Sequence, residues 1–112
     1  MKKSVAMSRP TADAAALLGV LIKTARVGKR WSQRELAERL AVDPRTVSAI
    51  ESGSPTVAVG SVLQAAFLTG VPIFGLEGPE LATARRRGEE VLALLPRRVR
   101  AAKNEVDDDL DF

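Results

Sequence analysis

The residues best placed to do chemistry lie close together in PRTVSAIES, Pro44 to Ser52. A helix starting at Pro44 turns Arg45, Thr46, Ser48, Ala49 and Ser52 to or near one side, and Val47 and Ile50 to the other. An arginine among short side chains suits the major groove of duplex DNA, where a helix must lie close to base edges. Arg45 is the first candidate for reading a base, because arginine to guanine is the commonest specific contact; a phosphate contact is its alternative. Thr46, Ser48 and Ala49 are lesser candidates, and Pro44 stands at the same helix start. Upstream, Gln33 and Arg34 open another short helix. The Gln33 amide and the free N–H groups of that helix start suit a phosphate.

Two helix starts must position these groups. Ser32 and Glu35 have the spacing of a capping box, and Trp31 with Leu36 that of a hydrophobic staple. Leu36, Ala37 and Leu40 then line one face of a helix ending near Leu40. Asp43 is the next N-cap, Pro44 sits at the first helical position where its missing N–H costs nothing, and Val42 with Val47 repeats the staple. Gly53 supplies the permissive position after the helix end.

The stretch from Trp31 to Gly53 resembles the helix-turn-helix of the Xre, phage-repressor-like family. Ser32, Gln33, Glu35, Leu36, Ala37, Leu40, Val42, Val47, Ser48, Ile50, Glu51 and Gly53 carry the match. The resemblance covers roughly Ala12 to Leu76 and implies an all-α, five-helix repressor-like domain that binds an operator in double-stranded DNA as a homodimer. It implies a structural pair of Arg26 with Glu51, fixing the first helix against the recognition helix. It also implies that Lys29 and Arg30 lie near the DNA backbone, and that the region after the fourth helix makes the dimer contact. Phe67 and Phe74 are then interface anchors or plain core. Pro44 and Ala49 depart from the family, which often carries glutamines there, so the operator sequence does not follow.

Composition narrows the alternatives. Cysteine and histidine are both absent, which excludes classical zinc sites, Cys–His nucleophiles and Ser–His–Asp triads. There is no glycine-rich phosphate loop and no pair of carboxylates placed to make a pocket, so neither an enzyme nor a cofactor is expected. Apolar runs fall short of a membrane span and the N-terminus lacks a secretory apolar core, so a cytoplasmic, nucleoid-associated protein is expected. Charge is unevenly spread. All 17 lysines and arginines precede Asn104, while Glu105, Asp107, Asp108, Asp109 and Asp111 take five of the 14 acids. A basic body is the electrostatic footprint of a nucleic-acid binder, and the acidic end suggests a separate or self-screening role.

Taken in order, residues 1–10 read as a loose arm in which Lys2, Lys3 and Arg9 are solvated or touch phosphate. Residues 11–76 read as the helix-turn-helix domain. Thr11 caps a helix to about Lys29 with an apolar stripe of Leu17, Leu18, Leu21, Ile22 and Ala25. Ser54-Pro55-Thr56 is a capped turn, Val57 to Thr69 a fourth helix, and Val71, Ile73, Phe74 and Leu76 a short apolar fifth element. Residues 77–96 form an extra C-terminal helix from Glu80 to Leu95, with Arg85-Arg86-Arg87 on a solvated face, a DNA contact or a docking patch. Residues 97–112 form a flexible tail, basic then acidic. The arginine-rich last helix and LPRRVR…EVDDDLDF resemble HipB-type antitoxins of HipA–HipB toxin–antitoxin systems. That resemblance implies a HipA-like kinase toxin as partner, held by Arg97, Arg98, Val106, Asp108, Asp109, Leu110 and Phe112 or by the last helix. The alternatives are a stand-alone regulator whose acidic tail screens the basic face, and a protein-interaction adaptor without DNA binding.

Overall fold

The computed structural model describes residues 6–99. Lys2 and Lys3 of the arm, and Arg100, Lys103, Val106, Asp108, Asp109, Leu110 and Phe112 of the tail, lie outside the described residues. The described chain is all-α, with α1 (Arg9–Gly28), α2 (Gln33–Leu40), α3 (Pro44–Glu51), α4 (Val59–Thr69) and α5 (Gly78–Ala93). It divides into a first unit ending at Gly78 and a second beginning at Pro79.

In the first unit, α2 packs on α3, α1 packs on α3 and α4, and α4 also meets α2. Ile22, Leu36, Ala37, Val47, Ile50, Ala65 and Ala66 are buried at the centre. Leu18, Trp31, Leu40, Val42, Val57, Val62, Val71 and Ile73 close around them. The stripe expected on α1 is rotated. Leu17 and Leu21 are exposed, and the inward face is Leu18, Gly19, Ile22 and Arg26. A count of apolar residues misplaces this face because its closest approach is made by a glycine and its deepest polar group is an arginine. A Cβ on Gly19 would collide with the carbonyl oxygens of Glu51 and Ile50, the latter at 2.7 Å. The first helix therefore crosses the end of α3 backbone to backbone.

The helix starts follow local rules with two corrections. Ser8, not Thr11, caps α1: it accepts the Thr11 N–H at 3.3 Å, so Arg9 and Pro10 belong to the first turn and not to an arm. The proline is tolerated there because first-turn N–H groups have no intrahelical partner. Thr56 does not cap α4. Ser54 accepts the Thr56 N–H, the two hydroxyls pair at 3.1 Å, and α4 starts after Ala58 with no side-chain cap.

All four helix ends in this unit share one device. A residue with positive φ follows each helix, and the next N–H returns to a carbonyl five residues back: Trp31 to Arg26, Val42 to Ala37, Ser54 to Ala49 and Val71 to Ala66. Gly53 and Gly70 adopt this conformation freely, but Arg30 (φ 63°) and Ala41 (φ 59°) do so against their Cβ. Ala41→Gly is expected to raise the unfolding free energy by about 1 kcal/mol, read as a higher midpoint in urea; an unchanged or lower midpoint contradicts it.

The short apolar element after α4 is a turn rather than a helix. Ile73 and Leu76 form an isolated antiparallel bridge across Phe74 (φ 58°) and Gly75 (φ 68°). Pro72 and two successive positive φ values leave no room for a helical turn. α5 begins at Gly78, two residues before the Glu80 expected from sequence, with Pro79 in its first turn, and no residue of α5 is buried. Arg85 pairs with Glu89 one turn on, at 3.0 Å.

Candidate nucleic-acid interface

The outward face of α3 is held from beneath by a buried ion pair. Arg26 and Glu51 are 7% and 8% exposed. Arg26 Nε donates to Glu51 Oε2 at 2.7 Å and Nη2 donates to Oε1 at 3.1 Å, a two-pronged fit. Arg26 Nη1 donates to the Trp31 carbonyl at 2.7 Å, and Gln33 Nε2 donates to Glu51 Oε1 at 3.0 Å. The carboxylate thus ties α1 and the start of α2 to the end of α3, and Arg26 adds the loop before α2. No described buried side-chain N or O atom is left without a partner. Such a pair fixes geometry more than it adds net stability, since burying both charges offsets most of their attraction.

The capping box at α2 is complete: Glu35 N–H donates to Ser32 Oγ at 3.0 Å and Ser32 N–H to Glu35 Oε1 at 2.7 Å. It fixes where Gln33 and Arg34 stand. Arg34 is exposed, while Gln33 is half-buried with one amide N–H committed to Glu51. An amide nitrogen has two N–H bonds, so one is left for a ligand. Lys29 and Arg30, at the end of α1, are both exposed. The Lys29 ammonium lies 5.4 Å and the Arg39 guanidinium 4.0 Å from the centre of the Trp31 ring. Both are cation–π distances, so Arg39, though exposed, lies against the indole.

On α3, Asp43 caps the helix by accepting the Arg45 N–H at 2.8 Å, with Pro44 at the first position. Pro44, Arg45 and Ser48 are exposed, Thr46 and Ala49 are half-buried, and Val47, Ile50 and Glu51 are buried. The Arg45 side chain, 91% exposed, folds back on Asp43: Nε to Oδ1 and Nη2 to Oδ2, each at 3.2 Å. The guanidinium hydrogen bond holds the Asp43 carboxyl below its usual range and raises Arg45 further. Asp43 is recognisable in the sequence as a cap; its grip on Arg45 is not. Gly19 also goes unnoticed in sequence, although a glycine inside a helix is itself a sign of close backbone approach. Arg97 and Arg98 are exposed and lie beyond α5.

No described helix is long and apolar enough to cross a membrane. Residues 22–74 match the HTH_3 helix-turn-helix family. This part of the chain is similar to Xre-like helix-turn-helix domains, a kind found in DNA-binding regulators. No curated protein and no solved structure matches the chain.

Proposed function

We propose that this helix-turn-helix domain makes the chain a sequence-specific DNA-binding transcriptional repressor that acts as a homodimer. The observation that carries the reading is the exposed Pro44, Arg45 and Ser48 face of α3, seated on the buried Arg26–Glu51–Gln33 cluster. In this reading α3 enters the major groove with Arg45 as the base-reading arginine and Thr46, Ser48 and Ala49 beside it. Gln33, Arg34, Lys29 and Arg30 bind phosphates on either side. Dimerisation is supported by Val59, Leu63 and Phe67, which leave an apolar row exposed along α4 at helical spacing, with Phe74 85% exposed after it. Two copies then read half-sites about 34 Å apart.

The test is binding to the DNA upstream of its own gene at two salt concentrations. Arg45→Ala is expected to weaken selective binding about tenfold to a hundredfold, with little change on random duplex. Binding by the wild type with no preference over random duplex contradicts the reading.

A finer reading follows from the arginine-rich α5 and the LPRRVR…EVDDDLDF segment: the chain is the antitoxin of a HipA-like kinase and represses the operon of the pair in the cytoplasm. The opposed charges of body and tail support two partners on one small chain. Removing residues after Lys103 is expected to leave operator affinity unchanged and abolish binding to a HipA-like kinase. Tighter DNA binding on truncation favours the autoinhibitory tail instead.

A further inference from the structure

The start of α3 holds its arginine in a way that bears on what the arginine can bind. Asp43 Oδ1 is fixed by the backbone N–H of Arg45 at 2.8 Å before it meets the side chain. Exposed ion pairs contribute little because two long side chains must be ordered together. Here the carboxylate is already ordered by its capping bond, so only the arginine has to settle. The pairing is side-on, through Nε and Nη2. A guanidinium has five N–H bonds, and side-on pairing uses two. One N–H of Nη1 and the second N–H of Nη2 are left as a parallel pair at the tip of the side chain. That edge matches O6 and N7 of guanine.

Charge disfavours the competing contact. A phosphate oxygen approaching the same guanidinium meets the Asp43 carboxylate beside it, and the pair has little net charge to offer. A guanine edge carries no formal charge and is repelled far less. Loss of water around the pair on docking strengthens the Asp43–Arg45 attraction where it is needed.

We infer that Asp43 is a specificity-determining residue: its carboxylate buttresses Arg45, aims the tip of the guanidinium at a guanine and turns the side chain away from phosphate. This rests on α3 being the groove-reading helix, as proposed above. Asp43 touches no base itself and acts through Arg45, so its signature is discrimination rather than affinity.

The experiment is selection from a randomised duplex pool by the full chain, followed by competition binding for Asp43→Asn, Asp43→Ser and Arg45→Ala. Asparagine and serine both cap helices nearly as well as aspartate, so both variants are expected to fold with midpoints close to wild type. Neither offers a charged fork. The wild type is expected to enrich a site with one guanine per half-site at which Arg45→Ala loses its preference. Both Asp43 variants are expected to lower the ratio of guanine over other bases at that position about tenfold, while affinity for random duplex stays level or rises. Undiminished guanine preference in both Asp43 variants overturns the inference and leaves Asp43 a cap. An enriched site that Arg45→Ala reads as the wild type does also overturns it, with the DNA-binding reading intact. If the wild type enriches no site, the DNA-binding reading falls and this inference with it.

Discussion

Gly19→Ala is expected to lower the unfolding free energy by about 3 kcal/mol, enough to drop the thermal midpoint by more than about 10 °C in a domain of this size. In an exposed helix the same change is stabilising by about 1 kcal/mol, because alanine is the better helix former. The sign reverses because the new methyl would meet backbone atoms of Ile50 and Glu51, the Glu51 carbonyl carbon at 2.8 Å. A side chain could rotate away, but a helix end cannot without moving α3. Gly60→Ala is the control in the same unit: Gly60 lies in α4 with open space where a methyl would stand, so that variant is expected to hold or raise the midpoint. Equal shifts in the two variants would show that α1 and α3 cross more loosely than these distances require. Gly19→Ala is also expected to weaken DNA binding beyond its effect on the folded fraction, since the atoms displaced belong to the end of α3, the proposed recognition helix.

Removal of one partner of the buried ion pair is expected to be the other large loss. Glu51→Leu leaves the Arg26 Nε and Nη2 groups without acceptors and Gln33 without its bond. An uncompensated buried charge costs about 3–5 kcal/mol. Arg26→Met is expected to cost a similar amount by stranding the carboxylate. The double variant Arg26→Met/Glu51→Leu is expected to recover most of that loss, because replacing both charges by apolar groups removes the desolvation cost as well as the attraction. Urea unfolding of the four proteins gives the coupling directly. Single losses under about 1 kcal/mol would place the pair among exposed ones. DNA affinity is expected not to recover in the double variant, because Gln33 then has no oxygen to hold it at the start of α2.

The contacts behind these two expectations differ in how far the chain alone reveals them. The capping box of Ser32 and Glu35, the Asp43-Pro44 start and the Gly53 end are local, so a few residues decide each, and the structure forms all three. The Arg26–Glu51 pair joins positions far apart in sequence and is implied by family resemblance, not by spacing; the folded chain brings the two side chains to 2.7 Å. The α1 face is different. Leu17 and Leu21 match helical periodicity as well as Leu18 and Ile22 do, and only the place where α3 crosses decides between them. The same holds at Thr11, where two hydroxyl residues compete for one cap and Ser8, one turn earlier, wins. The turn at Phe74 and Gly75 escapes a reading by apolar content because its shape is set by backbone angles. On α3, exposed and buried positions alternate as the helical spacing requires, yet nothing in DPR signals that the cap also grips the arginine.

Trp31 closes the first unit beneath two cations, and it is the single tryptophan of a chain without tyrosine. Beyond the weak phenylalanine band, the protein therefore absorbs and emits light from one place, the foot of α2. Lys29 and Arg39 stand against that indole. A phosphate that draws either cation off the ring is expected to change the colour and yield of the emission without any unfolding. The protein would then carry its own optical gauge at the edge of the surface it would present to DNA.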